Sequence, residues 1–189
     1  MNKEQLRNVY KEKRTAILPT QKNKWEDLIL IHFQKLGIEI PELIMTYAPC
    51  EKFNEFDPQL ITDYCYFKNP VHRLLYPVIN MEKNTMECMV VNDETVFAPN
   101  SYGIDEPKDC QSIFPEEIDM VLVPLLIFDV HGHRVGFGKG YYDRFLKQCR
   151  DDSVKIGFSF FEAEKKIEGI SKHDVKLDYC ITPEKIYSF

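Results

Sequence analysis

The stretch with the densest chemistry is Gly136 to Leu146, "GFGKGYYDRFL", in which Gly136, Gly138 and Gly140 alternate with Phe137 and Lys139 before Tyr141, Tyr142 and Asp143. Glycine lets backbone N–H groups converge on an anion, a following helix N-terminus adds partial positive charge, and a lysine adds a full one. Arg134, just upstream, carries a planar fork suited to phosphate oxygens. The general phosphate templates do not fit. In the G-x-x-x-x-G-K-[ST] pattern His133 stands where the first glycine belongs, and in G-x-G-x-x-G Tyr141 takes the place of the third. A glycine-rich turn with Lys139 in solvent accounts for the same residues, so spacing leaves both readings open. Asp143 has two readings as well. In a first helical turn it gains from the helix dipole, and beside an anion-binding loop it suits a magnesium ion bridging phosphates. Asp129, His131 and His133 alternate in "DVHGH"; the favoured reading is a turn tip with solvated imidazoles rather than a metal site.

The elements that must position these residues follow from periodicity. Residues 2–18 read as an amphipathic helix on Leu6, Tyr10, Ile17 and Leu18, stopped by Pro19. Thr20 is expected to cap a second helix that runs through Trp25, Leu28, Ile29 and Phe33 to Gly37. Residues 43–48, "LIMTYA", read as a buried strand, and Asp57 with Pro58 as the N-cap and first residue of another helix. "RLLYPVI", "TMECMVV" and one long strand over 119–128, "DMVLVPLLIF", come next. Tyr142, Phe145, Leu146 and Cys149 then mark a helix after the glycine run, and "KIGFSF" and "DYCIT" close the chain as short strands. This alternation predicts an α/β fold: a three-layer sandwich with a mixed, mostly parallel sheet and helices on both faces. Ligands of such sheets bind at loops leaving the strands' carboxyl ends, which is where the glycine run falls.

Composition narrows the function classes. A 189-residue chain with 44% hydrophobic residues and a formal charge of −6 is expected to be one domain, residues 1–189, and not a general nucleic-acid binder. The local exception is the first segment, where Lys3, Arg7, Lys11, Lys13, Arg14, Lys22 and Lys24 outnumber Glu4 and Glu12. That basic arm reads either as phosphate contacts or as a solvated helix face. Cys50, Cys65, Cys88, Cys110, Cys149 and Cys180 form no CxxC pair, and no apolar run approaches a membrane span. A reducing cytoplasm, no membrane association and a monomer are expected.

Residues 123–146, "VPLLIFDVHGHRVGFGKGYYDRFL", resemble the signature of the 5-formyltetrahydrofolate cyclo-ligase family, also called methenyltetrahydrofolate synthetases. The agreement lies in Pro124, Phe128, Asp129, Gly132, Arg134, the three glycines, Tyr141, Tyr142 and Asp143. Thinner matches extend along the chain: Lys3 and Arg7 in "KEQLR", Glu55 in "NEFDPQLI", Tyr102 in "YGIDEP" and Asp174 in "HDVKLDYCIT".

The resemblance implies an ATP- and magnesium-dependent ligase that closes 5-formyltetrahydrofolate to 5,10-methenyltetrahydrofolate with release of ADP and phosphate. By position it assigns Lys3, Arg7, Arg134 and the run Gly136, Phe137, Gly138, Lys139, Gly140, Tyr141 and Tyr142 to ATP. Catalytic roles fall to Lys139, Arg134 and Tyr142, the Mg²⁺ ligands are Asp143 and Asp174, and Glu55 and Tyr102 contact the reduced folate. Because "APCEKFN" is longer than the family pattern, Glu51 competes with Glu55 for that place. Two other readings stay open: a paralogous α/β enzyme using the same loop on another metabolite, and a non-catalytic nucleotide-binding module.

Overall fold

The central strand β7, Met120–Val123, shows how sequence becomes layers. All of its residues are buried, as a parallel strand covered on both faces requires. Met120 and Leu122 point into one core with Ile29, Phe33, Ile61 and Cys65. Val121 and Val123 point into the other with Phe145 and Leu146. The two-residue side-chain period thus sends alternate residues to opposite layers.

The computed structural model, which describes residues 1–189, has helices α1 (Lys3–Thr15), α2 (Pro19–Leu36), α3 (Gln59–Lys68) and α4 (Tyr141–Leu146). Its main strands are β1 (Leu43–Met45), β2 (Arg73–Asn80), β3 (Thr85–Val90), β6 (Ser112–Ile113), β7, β10 (Val154–Phe158), β11 (Tyr179–Ile181) and β12 (Ile186–Ser188). These form one sheet in the order β12-β11-β10-β7-β1-β2-β3-β6. The pairs from β11 through to β2 are parallel, while β12, β3 and β6 add antiparallel edges. Helices α2 and α3 cover one face and α4 the other. The expected α/β sandwich with a mixed, mostly parallel sheet is what the chain forms. No helix is long and apolar enough to cross a membrane, and all six cysteines are unpaired.

Strand β1 leads through α3 to β2 on one side, whereas β7 on its other side leads through α4 to β10. The connections therefore diverge between β1 and β7, and the crevice at such a switch point is where doubly wound sheets bind ligands.

Local chemistry differs from the sequence expectation in four places. The strand expected over 119–128 stops at Val123, because Pro124 has no N–H to continue the ladder. The chain then builds a separate hairpin of β8 (Ile127–Phe128) and β9 (Arg134–Val135), on which α1 packs through Leu6 and Tyr10. Helix α2 starts with Pro19 at its first position and Leu18 as N-cap, so Thr20 lies inside the first turn rather than capping it. Proline's missing N–H belongs to that turn's unsatisfied donors, which makes Pro19 the better start. Gly37 does close the helix in the left-handed region, at φ 66°. Finally, α4 ends at Leu146, before Cys149, and α3 begins at Gln59 with Pro58 in the cap, although Asp57 Oδ1 still accepts from the Gln59 amide at 3.0 Å.

Asp129 explains why the β8–β9 hairpin holds its shape. Its carboxylate is fully buried and accepts from the amides of His131, His133 and Ile167, each at 3.0 Å. Burial acts to raise its pKa, but these donors and the His133 ring outweigh it and hold the group below the ordinary aspartate value. The "DVHGH" stretch is thus a turn tip organised by an anion, and no three His, Cys, Asp or Glu side chains gather to hold a metal ion. Asp129→Ala leaves buried N–H donors unpaired, and the expected cost is roughly 3 kcal/mol, about 6–12 °C in Tm for a chain of this size. Because the folded pKa is depressed, this stabilisation is present above the ordinary carboxylate range and lost as pH falls below about 4. Thermal melts of both proteins at neutral and acid pH check this: the gap between them narrows toward acid.

Candidate functional site

Helix α1 starts with a full capping box, Asn2 Oδ1 accepting from the Gln5 amide at 2.9 Å and the Gln5 side chain from the Asn2 amide at 3.1 Å. Its basic residues Lys3, Arg7 and Arg14 share one face, being spaced at i, i+4 and i+11, and that face meets Asp174, the glycine loop and the loops after β1 and β7. Lys3 Nζ bonds Asp174 Oδ2. Arg7 Nε donates to the Gly136 carbonyl at 3.0 Å. The glycine loop rests on this guanidinium: a Cβ at Gly138, where φ is +91°, would lie 2.8 Å from Arg7 Cζ. Glycine at 138 is therefore demanded twice, by the left-handed backbone and by the close approach.

Lys139 sits exposed on the loop, and its ammonium takes part in no ion pair, while its carbonyl accepts from Arg144 Nη2 at 3.1 Å. Gly140 caps α4 at φ 70°. The helix is only six residues long, so its dipole adds little and the charge at the loop comes mainly from side chains.

Arg134, whose fork the resemblance assigns to phosphate, is anchored on two sides. Its buried guanidinium donates to Asp143 Oδ1 at 2.9 Å and to the Val175 carbonyl. Asp143 Oδ1 also accepts the Val175 amide, at 3.1 Å. Arg134 thus acts as a strut that joins β9, α4 and the segment around 174. The same strut brings Asp143 and Asp174 to neighbouring places on the loop's rim. Asp174 Oδ2 accepts from Lys3 Nζ and from the Ser171 amide, so Asp143 Oδ2 and Asp174 Oδ1 are the oxygens without a protein partner. Against the desolvating effect of burial, Lys3 and Ser171 hold the Asp174 carboxyl below its ordinary value. Two carboxylates with one oxygen each to spare fit magnesium, which takes one or two carboxylates and fills its shell with phosphates and water.

The other wall of the crevice comes from the loop after β1. Glu55 is 3% exposed, far from the solvated turn position open to it on sequence. Its Oε2 accepts the Cys50 amide at 2.8 Å, and its Oε1 lies 3.7 Å from Arg14 Nη1. Burial pushes the Glu55 carboxyl up, and Arg14 opposes that shift. Glu51 instead stands exposed on the short 3-10 turn Glu51–Phe53. The Tyr142 hydroxyl is buried with no hydrogen-bond partner, and burial followed by the charge of Glu55 raises its phenol well above the ordinary value. Glu55 Oε1 and Arg14 Nη2 are buried and unpartnered as well. A buried polar atom left open needs a reason, and at a cleft a bound ligand is one.

Phe137 spans the two walls. Its ring packs 5.3 Å from that of Phe53, with Lys11 Nζ 5.4 Å from the Phe137 centroid. Tyr102 is exposed at the tip of the small β4–β5 hairpin (Phe97–Pro99 with Asp105–Pro107), beside Tyr141, whose phenol is raised by partial burial and by Tyr102. Strands β4, β5, β6 and β12 had no signal in the sequence reading, being two or three residues each.

Sequence reasoning passed over Arg14, Phe53 and Asn54 as site residues. The signal available was the common face of Lys3, Arg7 and Arg14; Arg14's partners Phe53 and Asn54 carry no motif. A groove of roughly 420 Å³ lies elsewhere, past Tyr10 and Lys13 on α1, and contains none of the residues above.

Known proteins resemble this chain over its whole length. A mitochondrial 5-formyltetrahydrofolate cyclo-ligase of Arabidopsis thaliana is 25% identical over 98% of this chain and 79% of its own. The Escherichia coli 5-formyltetrahydrofolate cyclo-ligase is 24% identical over 95% of this chain and 99% of its own. The NMR structure of the Aquifex aeolicus 5,10-methenyltetrahydrofolate synthetase has the same fold, with a TM-score of 0.81 at 24% identity, covering 100% of this chain and 93% of that one. The profile of the 5-formyltetrahydrofolate cyclo-ligase family matches residues 1–183, and the chain belongs to that family of ligases.

Proposed function

We propose that this enzyme closes 5-formyltetrahydrofolate to 5,10-methenyltetrahydrofolate at the expense of MgATP, within a single domain of residues 1–189. The observation that carries this reading is the position of the glycine loop between two unlike walls: Lys3, Arg7, Lys139, Asp143 and Asp174 on one side, and buried Glu55 with Tyr142 on the other. The first wall suits a nucleoside triphosphate. The second suits the flat, N–H-rich edge of a reduced pterin, to which Glu55 offers its unpartnered Oε1.

A formamide is a weak electrophile, so its oxygen must first become a leaving group. The formyl oxygen attacks the γ-phosphorus, the bond to the β–γ bridging oxygen breaks, and ADP leaves. The neighbouring folate nitrogen then attacks the resulting imidate carbon and loses its proton, and the C–O bond breaks to release phosphate. Such a sequence needs positioning and charge neutralisation more than a strong acid or base. The loop amides and Lys139 would hold the γ-phosphate, with Arg7 and Lys3 along the chain of phosphates. Arg134 would act by holding Asp143 in place. Magnesium held by Asp143 and Asp174 would neutralise charge on the phosphate oxygens. Tyr142 would meet the reacting formyl group from its buried position, and Tyr102 would cover the pterin from the hairpin tip. Glu55 is the better folate carboxylate than Glu51, because it is buried beside Tyr142 whereas Glu51 faces solvent.

The test is growth of methenyltetrahydrofolate absorbance when the protein is mixed with 5-formyltetrahydrofolate and MgATP. One ADP per product is expected. Full-rate turnover by apyrase-treated protein without nucleotide would remove the ATP step, and no turnover with complete substrates would favour a paralogue or a binding module.

A further inference from the structure

Arg14 is a deeply buried charge that the reaction scheme leaves unused. It belongs to α1 and is 2% exposed. Its Nε donates to the Phe53 carbonyl at 2.8 Å, and its Nη1 to the Leu125 carbonyl at 3.0 Å. The same Nη1 stands 3.7 Å from Glu55 Oε1, and the guanidinium carbon lies 5.5 Å from the Phe137 ring centroid. One side chain therefore touches the loop that follows β1, the exit of β7 and the glycine loop. A second staple runs the other way: Asn54 Nδ2 donates to the carbonyls of Arg14 and Ile17, each at 3.0 Å, with Asn54 itself at φ 49°. Residues 50–55 have no regular structure beyond one 3-10 turn, so these contacts and the Cys50–Glu55 bond are what hold them.

An isolated cation buried this deeply is costly unless it is paired and fully hydrogen-bonded. Here the pairing is incomplete. The approach to Glu55 exceeds hydrogen-bond length, and Arg14 Nη2 and Glu55 Oε1 have no partner. A contact made only for stability would close that gap. The arrangement instead orients the Glu55 carboxyl through Cys50 and Arg14 and leaves one oxygen over.

We propose that Arg14 is a positioning residue for the reaction: it sets Glu55 to receive the folate and ties that carboxylate to the glycine loop. The inference rests on the folate-binding reading of Glu55 given above. It extends the phosphate-facing row of α1 to a second task, so that one helix orders both substrates.

The experiment compares wild type, Arg14→Met, Arg14→Lys, Glu55→Gln and the Arg14→Met/Glu55→Gln double variant. Michaelis constants are measured separately for 5-formyltetrahydrofolate and ATP. Losing a charge-assisted contact raises the folate KM of Arg14→Met by about ten- to a hundredfold, while the ATP KM moves far less. Arg14→Lys, which keeps the charge but cannot reach both carbonyls, falls between Arg14→Met and wild type. In the Glu55→Gln background Arg14→Met adds little further, because its target is already gone. Equal rises in both constants, or effects that simply multiply in the double variant, overturn the proposal.

If Arg14→Met does not fold, comparison of the double variant with Glu55→Gln alone serves, since that pair removes both buried charges together. A further large rise in folate KM there also overturns it. Amide hydrogen exchange at Cys50 needs no substrate: faster exchange in Arg14→Lys supports the positioning role and unchanged exchange refutes it. A wild-type protein inactive on 5-formyltetrahydrofolate would sink the assigned reaction, while the exchange result still judges whether Arg14 holds Glu55.

Discussion

An Asp143→Asn enzyme is expected to need about ten- to a hundredfold more magnesium for half-maximal activity, because an amide is a poorer ligand than a carboxylate for a hard cation. The substitution has a second consequence. Asp143 Oδ1 is the counter-charge of the buried Arg134 guanidinium, at 2.9 Å. An asparagine oxygen still accepts from Arg134 and from the Val175 amide, so the strut keeps its shape but loses its ion pair. Removing one partner of a fully buried pair costs about 3–5 kcal/mol; with the Asp143 side chain 29% exposed, solvent screening reduces this to roughly 1–2 kcal/mol. Asp174→Asn separates the two effects. Its partner Lys3 is more exposed and reaches solvent when released, so the magnesium requirement rises with a smaller change in melting temperature. Magnesium titrations at saturating ATP and folate, with a thermal melt of each variant, check both halves. Unchanged titrations for both variants would reduce Asp143 to a structural partner of Arg134.

Lys139→Ala is expected to lower kcat, or to weaken ATP binding, by about ten- to a hundredfold, the value of one charge-assisted contact of 1.5–3 kcal/mol. The melting temperature should stay at the wild-type value. Lys139 is exposed and its ammonium enters no ion pair, while its main-chain bond to Arg144 survives truncation of the side chain. Activity and stability therefore part company at this residue. Lys139→Arg should recover part of the loss, because the charge remains while the loop geometry suits a slimmer head. A variant that melts early and is inactive only for that reason would assign the glycine run to the fold instead of to phosphate. Arg7→Ala makes a useful contrast, since the guanidinium also fills the space under Gly138, and stability and turnover should fall together.

Much of this protein was legible along the chain because the underlying physics is local. Helices α1 and α2, the left-handed Gly37 after α2, and the buried parallel strands each follow from a few neighbouring residues. The glycine run and the carboxylate after it were legible for the same reason, since backbone freedom and charge sit in one short stretch. Even the break after Val123 was written in Pro124, although the apolar run beyond it, which builds the α1-packed hairpin, reads as more of the same strand.

Only tertiary structure decided which polar groups are buried and with whom. Glu55 and Glu51 look alike in "APCEKFNEFD", and what separates them is that Arg14, remote from both in the chain, pairs with one and not the other. That Val175 and Asp143 anchor Arg134 is equally invisible in the chain around it. Tyr102 reaches the glycine loop's side of the crevice only because a hairpin of three-residue strands carries it beside Tyr141. Desolvation and long-range pairing depend on distances between segments remote in sequence, and neither composition nor spacing contains those distances.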